Sequence, residues 1–377
     1  MRLLHVTNIV SPHQVPLARA LAAQLGAACY RLAVLEPTAA AGEALAWEYA
    51  ASDPWILRVA EDERHRQEYG EWFDGADIVV CGQRLIEPFA QRVSRGQLTF
   101  YMSERWWKPP VGMLRLLHPR FAAMAWRFRR LAASPYFHYL AIGPHAAADM
   151  KRLVCLPGRA WNWGYFTASG NAPPVRPREG GLRIVWAGRM LGWKRVDTLV
   201  RGFSVLHRGD SGARLALIGD GPRLAALRKL VRKLGLQSSV GFEPRLPMQA
   251  VLERMRDSHV YVLSSNGYEG WGAVVNEAMS EGCAVVATDA AGAAAAMIQP
   301  GENGLLFRVG DWRTLGSLLL RLNQDQPFRQ RLGQAARLTM ERLWSPATGA
   351  QRLLAVGDAL LCGRPAPTYD AGPMGRI

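Results

Sequence analysis

Two glutamates lie eight residues apart in a segment whose pattern predicts a strand, a glycine-bearing loop, a helix and a second strand. Glu269 is in the loop and Glu277 is on the predicted helix Gly272–Glu281, with Gly270 and Gly272 where the helix begins. The glycines leave the backbone uncovered, so its amides and the positive end of the helix dipole favour a phosphate. Two carboxylates so placed can accept hydrogen bonds from sugar and ribose hydroxyls on either side of a diphosphate. The alternative is a charge at the helix start and a surface glutamate.

The elements that must position these residues alternate along the whole chain. Short apolar runs and longer helical patterns lie on both sides of a proline- and glycine-rich segment, which is typical of βαβ units. We predict an α/β fold with two Rossmann-like doubly wound domains and a ligand cleft between them. The predicted domains are an N-terminal domain at 1–168, a linker at 169–181, a C-terminal domain at 182–345, and a helix and tail at 346–377 that can pack back on the first domain.

The predicted elements have the following bounds. The strands are Leu3–Ile9, Arg31–Leu35, Ile78–Cys81, Leu98–Met102, Tyr139–Ile142, Arg183–Ala187, Arg214–Ile218, Val240–Phe242, Val260–Leu263, Ala284–Thr288 and Gly304–Phe307. The helices are Val15–Leu25, Glu87–Ser94, Pro119–Ala133, Arg195–His207, Arg223–Leu234, Pro247–Arg256 and Gly272–Glu281.

Composition favours a globular protein with two or three domains over 377 residues. No run reaches about 18 apolar residues, so we expect no transmembrane helix. The first ten residues lack the features of a signal peptide and favour a buried strand. Five scattered cysteines argue against a disulfide framework or a structural zinc site, which predicts a cytoplasmic protein.

The net charge of +15 implies an anionic partner: nucleic acid, membrane lipid or a phosphorylated substrate. Between Pro88 and Ala148 the only acid is Glu104, against nine cations. Within this stretch, Pro119–Leu131 mixes large apolar residues with four arginines, which fits either an interfacial helix on anionic lipid or a domain-surface helix with one buried face. No nucleic-acid-binding motif is present, so we expect no nucleic-acid partner.

The spacing of Glu269 and Glu277, followed by Ala-Met, Glu-Gly and an apolar strand, resembles the donor-binding motif of the family 4 retaining glycosyltransferases (glycosyl transferases group 1), which have the GT-B fold. Three further runs resemble motifs of this family in the same order: VWAGRMLGWK from Val185 to Lys194, LIGDGP from Leu217 to Pro222, and GENGLLF from Gly301 to Phe307. Together they cover roughly residues 181–344. The resemblance therefore implies a GT-B architecture with an acceptor-binding N-terminal domain and a C-terminal domain that binds the NDP-sugar donor.

The resemblance implies roles for four side chains. Arg189 and Lys194 would bind the donor diphosphate and stabilise the leaving nucleotide through charge-assisted contacts. Glu277 would hold the ribose hydroxyls and Glu269 the transferred sugar. For the two cations, ordinary solvated charge is the alternative.

Glycines at four positions would line the same pocket. Gly270 and Gly272 belong to the phosphate-facing loop, and Gly219 and Gly221 would bring the backbone against the nucleotide, with a plain tight turn as the alternative. The sequence departs from the family pattern at Ala284, where proline is frequent, and after Gly292, where no acid follows.

The N-terminal half offers fewer candidates. The loop Ser11–Pro16 lacks the glycine pair that is usual in the family, so His13 is the candidate contact there, with an inert loop residue as the alternative. Glu104 resembles in position a histidine that faces the reaction centre in many members. A structural ion pair between Glu104 and Arg105 is its alternative. Trp161–Phe166 would line the cleft or pack in the core.

These observations predict a retaining glycosyltransferase that uses an NDP-sugar of UDP or GDP type. The acceptor would be a glycan or a lipid-linked glycan of bacterial envelope polysaccharide synthesis. We expect no further cofactor and, without an Asp-x-Asp motif, no essential metal. We expect a cytoplasmic protein that can bind peripherally to the inner face of the cytoplasmic membrane. The sequence does not predict the oligomeric state. The alternatives are a GT-B sugar-nucleotide epimerase and a non-catalytic protein that binds glycan or nucleic acid.

Overall fold

The computed structural model describes four stretches of the chain: residues 1–37, 53–82, 87–168 and 181–377. They form two compact units. Unit 1 contains Met1–Ala168 and Trp344–Ile377, and unit 2 contains Ser169–Leu343. The predicted linker lies outside the described residues except for Gly181. Among the described residues, no helix has the length and apolar character needed to cross a bilayer.

Unit 1 is built on a parallel sheet with the strand order β3-β2-β1-β4-β5-β6-β7. Its described strands are β1 Leu3–Thr7, β2 Tyr30–Val34, β3 Ile56–Arg58, β4 Ile78–Cys81, β5 Leu98–Ser103, β6 Phe137–Ile142 and β7 Ala160–Trp163. Its described helices are α1 Val15–Leu25, α2 Glu63–Gly75, α3 Glu87–Ser94, α4 Pro119–Ala132, α5 Pro144–Leu153 and α13 Pro346–Leu361, with a 3₁₀ helix at Gly112–Leu117. All five residues of β1 are buried, as expected for a central parallel strand covered on both faces.

The last residues of the chain complete unit 1. Helix α13 packs on α1, and its Gly357 also permits a close approach to β4, because a Cβ there would lie 2.4 Å from Ile78 Cδ1. The tail after α13 then pairs with the edge strand β7. The amide of Asn162 donates to Gly375 O at 2.7 Å, and the amide of Met374 donates to Asn162 O at 2.7 Å. The tail thereby covers a strand edge that would otherwise present unpaired backbone groups.

Unit 2 contains a second parallel sheet, with the strand order β10-β9-β8-β11-β12-β13. Its described strands are β8 Arg183–Ala187, β9 Arg214–Ile218, β10 Val240–Glu243, β11 Val260–Leu263, β12 Ala284–Thr288 and β13 Leu305–Phe307. Its described helices are α6 Val196–Gly209, α7 Leu224–Lys233, α8 Met248–Arg256, α9 Val274–Ser280, α10 Gly292–Met297, α11 Trp312–Gln324 and α12 Gln326–Arg342. A continuous core lies between the sheet and helices such as α6 and α11.

The predicted α/β fold with two doubly wound parallel sheets is confirmed. The aromatic run Trp161–Phe166 begins in β7, which the sequence did not predict as a strand. Trp161 and Trp163 are fully buried, so core packing is the correct alternative for both. Helix α4 buries Phe128 and Leu131 and leaves Trp126 exposed, so one face packs on the sheet while the other is open.

Candidate active site

Four loops of unit 2 leave neighbouring parallel strands at the same edge of the sheet. They follow β9, β8, β11 and β12, which are adjacent in that order. Because parallel strands end together, the predicted residues on these loops are brought to one edge.

The loops after β8 and β9 interlock through their backbones. The amide of Gly188 donates to Ile218 O at 3.0 Å, and that of Met190 donates to Asp220 O at 2.6 Å. Gly219 has φ 125°, and a Cβ there would lie 2.1 Å from Gly188 O. Gly221, with φ 142°, would place a Cβ 2.9 Å from the Met190 backbone. Both glycines are therefore required by the approach of two backbones, whatever ligand they face.

Arg189 lies within this interlocked pair of loops. Its backbone is fixed by the hydrogen bonds on either side, while its side chain is exposed. Within the part of the chain that the structure describes, its guanidinium has no hydrogen bond or ion pair. An exposed cation on a fixed backbone is available to an anionic ligand.

Lys194 and Glu269 form the shortest charged contact of this edge. Lys194 Nζ donates to Glu269 Oε2 at 2.6 Å, and Ser265 Oγ donates to the same oxygen at 2.8 Å. The side chains are 16% and 10% exposed, respectively. Glu269 precedes α9 by five residues, so the alternative that it is a charge in the first turn of that helix is wrong. The predicted helix start at Gly272 is also early, because α9 begins at Val274.

Backbone contacts tie the loop of Lys194 to the loop of Glu269. The amide of Asn266 donates to Trp193 O at 2.9 Å, and Ser264 Oγ donates to Lys194 O at 2.9 Å. The Lys194 ammonium also lies 4.4 Å from the centroid of the Trp193 ring. Both the backbone carbonyl and the side-chain ammonium of Lys194 are thus held by neighbouring residues. Ser265 and Trp193 were not predicted as site residues, and only their places beside Glu269 and Lys194 could have indicated them.

Glu277 lies on α9 and is only 9% exposed, so the surface alternative is wrong. Burial raises the pKa of the Tyr261 hydroxyl well above its usual value, and the Glu277 and Glu269 carboxylates raise it further. Both carboxylates therefore lie within electrostatic reach of one buried hydroxyl. Tyr261 went unpredicted because it occupies an apolar strand.

Gly270 and Gly272 are constrained by close packing around Glu269. Gly272 has φ 87°, and a Cβ there would lie 3.2 Å from Glu269 Cγ. Gly270 O faces the start of α10, where a Cβ at Gly292 would approach it to 2.4 Å. This contact requires glycine at position 292. Binding of a phosphate by the two loop glycines stays a prediction.

In unit 1, His13 and Glu104 meet at a common neighbour, Tyr165. The Tyr165 hydroxyl donates to Glu104 Oε1 at 3.3 Å, and the His13 ring stacks on the Tyr165 ring at 6.1 Å between centroids. Lys108 Nζ lies 3.3 Å from the other carboxylate oxygen, Glu104 Oε2. Burial raises the pKa of Tyr165 well above its usual value, and the Glu104 carboxylate adds to that rise. The loops after β1, β5 and β7 thus assemble a small polar cluster at the carboxyl edge of the first sheet.

The predicted alternative of an ion pair between Glu104 and Arg105 is wrong. The two side chains diverge, and Arg105 Nε lies 3.8 Å from Asp149 Oδ2. Asp149 is buried on α5 and also accepts the Trp107 amide at 2.9 Å. This second pair anchors the loop after β5, whereas the cation beside Glu104 is Lys108.

Comparison with known proteins identifies the second unit. Residues 172–339 match the family of glycosyl transferases group 1. A segment of 175 residues is 33% identical to an exopolysaccharide phosphotransferase of Streptomyces coelicolor and covers 45% of this chain and 18% of that protein. Another, of 194 residues, is 30% identical to the D-inositol 3-phosphate glycosyltransferase of Thermomonospora curvata and covers 46% of this chain and 44% of that protein. The chain spans less than half the length of both relatives.

The fold extends beyond the matched segment. The structure of HepE from Anabaena in complex with UDP-glucose superposes with a TM-score of 0.63 at 14% identity, over 94% of this chain and 98% of that chain. At this identity the superposition establishes the fold alone, with one Rossmann-like sheet in each unit. Residues 172–339 therefore belong to the glycosyl transferases group 1 family, within a chain that has the GT-B fold.

Proposed function

We propose that this protein is a retaining glycosyltransferase that moves a sugar from a nucleoside diphosphate donor of UDP or GDP type to a glycan or lipid-linked acceptor. The carrying observation is the buried Glu269 carboxylate, held by Lys194 and Ser265 at the same edge of the sheet as the exposed cation Arg189. The names of the related glycosyltransferase and of the UDP-glucose complex support a nucleotide-sugar donor.

The donor would lie across the loops after β8, β9 and β11. Arg189 would bind the diphosphate directly. Lys194 would shift part of its interaction from Glu269 to the diphosphate, since an ammonium has three donors. Glu277 would accept hydrogen bonds from the ribose hydroxyls, which would add to the interactions of its buried carboxylate.

Transfer with retention needs no covalent nucleophile on the protein. The bond between the anomeric carbon and the phosphate oxygen breaks, the acceptor oxygen bonds to the same face of the sugar, and the acceptor proton passes to the leaving phosphate. The sugar ring gains positive charge as the first bond breaks, and the Glu269 carboxylate would stabilise that charge. Arg189 and Lys194 would stabilise the departing diphosphate.

Unit 1 would bind the acceptor. Its polar cluster of His13, Glu104 and Tyr165 offers acceptors and donors suited to the hydroxyls of a glycan. We propose a cytoplasmic location, peripheral on the inner face of the membrane, in the synthesis of envelope polysaccharide. The exopolysaccharide named for one relative supports this setting.

The test is Glu269→Gln, which keeps the side-chain shape and removes the charge. We expect kcat to fall at least tenfold, about 1.4 kcal/mol of barrier, with a smaller change in donor affinity, because the carboxylate acts mainly in the transition state. The control is Glu253→Gln, at an exposed position on α8, which should leave both unchanged.

Thermal-shift screening of nucleotides and NDP-sugars first identifies the donor that binds. The products formed from this donor are then analysed with and without an acceptor. Wild-type kcat in Glu269→Gln would reject the proposed role of this carboxylate. An altered NDP-sugar formed without acceptor would indicate an epimerase. Binding without any turnover, across the acceptor panel, would indicate a non-catalytic protein.

A further inference from the structure

Large apolar side chains are exposed on one short stretch of unit 1. Of the eleven large hydrophobic residues that are exposed in the described part of the chain, six lie between 111 and 136: Val111, Met113, Leu114, Leu117, Trp126 and Tyr136. Leu114 is 65% exposed and Leu117 is 82% exposed, on the 3₁₀ helix that precedes α4. Clustering of this kind marks an interaction surface, whereas single exposed apolar residues do not. We call residues 111–136 the basic apolar surface.

The same stretch is strongly cationic and contains no acid. It carries five arginines: Arg115, Arg120, Arg127, Arg129 and Arg130. The other cations of the Pro88–Ala148 segment lie outside this stretch. Arg92 is buried and donates to the carbonyls of Phe73 and Ala76, while Arg95, Arg105 and Lys108 pair with acids. The charge excess of the segment is therefore concentrated on the basic apolar surface.

A groove lies beside α4 within this surface. It has a volume of about 940 Å³ and lies between α3 and α4, with Val93 and Leu131 among its apolar lining. The groove is also lined by Trp126, which is 57% exposed, and by Tyr136, which is 45% exposed. Arg127 and Arg130 line it as well. The Arg130 guanidinium lies 4.8 Å from the centroid of the Trp126 ring. None of the residues described as lining the groove is acidic.

We propose that the basic apolar surface docks on a bilayer of anionic phospholipid, and that the groove beside α4 receives one lipid headgroup and the start of its acyl chains. Guanidinium groups pair with the phosphate, and aromatic rings favour the depth of the headgroups. Leu114 and Leu117 insert below them, as in an interfacial amphipathic helix. The proposal deepens the peripheral membrane location proposed above and does not depend on the transfer reaction, since none of these residues belongs to the candidate active site.

Charge and apolarity together select this occupant. A second copy of the chain would bring arginines against arginines, which disfavours association. A nucleic acid would match the arginines but would leave the two exposed leucines without an apolar partner. An anionic bilayer matches both the charge and the apolar side chains.

The first experiment measures flotation of the full chain with vesicles of phosphatidylcholine alone and with 30% phosphatidylglycerol, a composition on the order of an anionic leaflet. Binding should require the anionic lipid and weaken as salt rises. Leu114→Ser with Leu117→Ser should reduce binding at least tenfold. Leu338→Ser changes an exposed leucine on α12 in unit 2 and is the matched control. Equal binding to both vesicle types, or no loss in the double leucine variant, would overturn the docking proposal.

The second experiment tests the groove with dihexanoyl phosphatidylglycerol below its micelle concentration. The short-chain lipid should bind saturably, and Arg127→Gln with Arg130→Gln should weaken its binding at least tenfold, with circular dichroism and thermal unfolding showing that the variant remains folded. Trp126→Phe should remove the fluorescence change on binding. Equal affinity for glycerol phosphate or inorganic phosphate would show an anion site instead of a lipid site. Oligonucleotide binding that exceeds vesicle binding and ignores the leucine variants would show a nucleic-acid surface.

Discussion

Two cations at the same sheet edge differ in what they already contact. Arg189 is exposed and, among the described residues, has no hydrogen bond or ion pair, while Lys194 is mostly buried and neutralises Glu269 at 2.6 Å. The Arg189 side chain is therefore available to a ligand, whereas Lys194 already makes an ion pair within the protein. Their substitutions should separate binding from stability.

Arg189→Ala should weaken NDP-sugar binding at least tenfold and leave the melting temperature unchanged, because no contact within the described protein is lost. Lys194→Ala should weaken binding as well, but it leaves the Glu269 carboxylate buried without its cation. That should cost roughly 1–3 kcal/mol, seen as a melting temperature lower by several degrees. Calorimetric titration and thermal unfolding measure the two effects.

Lys194→Ala combined with Glu269→Gln should regain most of the lost stability, since the uncompensated charge is gone. If Arg189→Ala and Lys194→Ala bind the donor as tightly as the wild type, neither residue contacts the diphosphate. If the two variants melt alike, the ion pair contributes nothing measurable.

Sequence motifs predicted this site unevenly. Glu269, Glu277, Arg189 and Lys194 stand at distinctive spacings after strands, so their sequence positions are informative. Tyr261 and Tyr165 are single aromatics in or after apolar strands, and only tertiary contact makes them neighbours of carboxylates. The partner of Glu104 was mispredicted for a related reason. Sequence adjacency favoured Arg105, whereas the folded loop presents Lys108.

At the scale of elements, a pair of loops forms one rigid layer. The loops after β8 and β9 share hydrogen bonds and meet so closely that Gly219 leaves no room for a Cβ. A single methyl group here must push Gly188 and, with it, Arg189.

Gly219→Ala should therefore lower donor affinity at least tenfold and destabilise unit 2 by roughly 1–3 kcal/mol, because the new side chain both clashes and has an unfavourable φ. The matched control is Gly241→Ala on neighbouring β10, where a Cβ meets nothing within 4 Å and φ is not positive. Donor titration and urea unfolding of both variants test this. Equal behaviour of the two variants would mean that the loop yields without moving Arg189.

The predicted elements were most accurate where short apolar strands stand between clear turns. Ile78–Cys81, Val260–Leu263 and Ala284–Thr288 have the predicted bounds. Strand β7 was missed because its tryptophans resemble an aromatic cluster as much as a strand, and its pairing depends on β6 and on the distant tail. Such pairing has no local signal.

At the scale of the whole molecule, unit 1 has two histidines in its core. Burial lowers the pKa of His5 on β1 to about 4, and burial with the nearby Arg159 lowers the pKa of His138 on β6 to about 4. The Trp161 indole donates to His138 Nδ1 at 3.2 Å, which keeps that nitrogen unprotonated. Both imidazoles are thus neutral in the folded unit.

A lowered folded-state pKa makes stability fall as the solution is acidified. Above pH 6.5 neither the folded nor the unfolded state binds a proton at these histidines, so the free energy of unfolding keeps its full value. Between about pH 6.5 and 4 only the unfolded state binds the proton, which should lower the free energy of unfolding by up to about 3 kcal/mol for each histidine. Hydrogen exchange, corrected for intrinsic rates, should show β1 and β6 losing protection first, and His5→Phe with His138→Phe should flatten that dependence. If the strands of unit 2 lose protection equally, or if the double variant keeps the same pH dependence, other groups cause the acid sensitivity.

The return of the chain from unit 2 to unit 1 has a consequence for its synthesis. Every described strand of the first sheet leaves the ribosome before unit 2, yet the α13 helix that covers α1 and the tail that pairs with β7 are made only after unit 2. The 175 residues of unit 2 intervene, which takes roughly 9 to 35 s at about 5–20 residues per second. Throughout that interval the nascent first unit has an uncovered helix face and an open strand edge, so the growing polypeptide should be a client of ribosome-associated chaperones until residues 346–377 have been made.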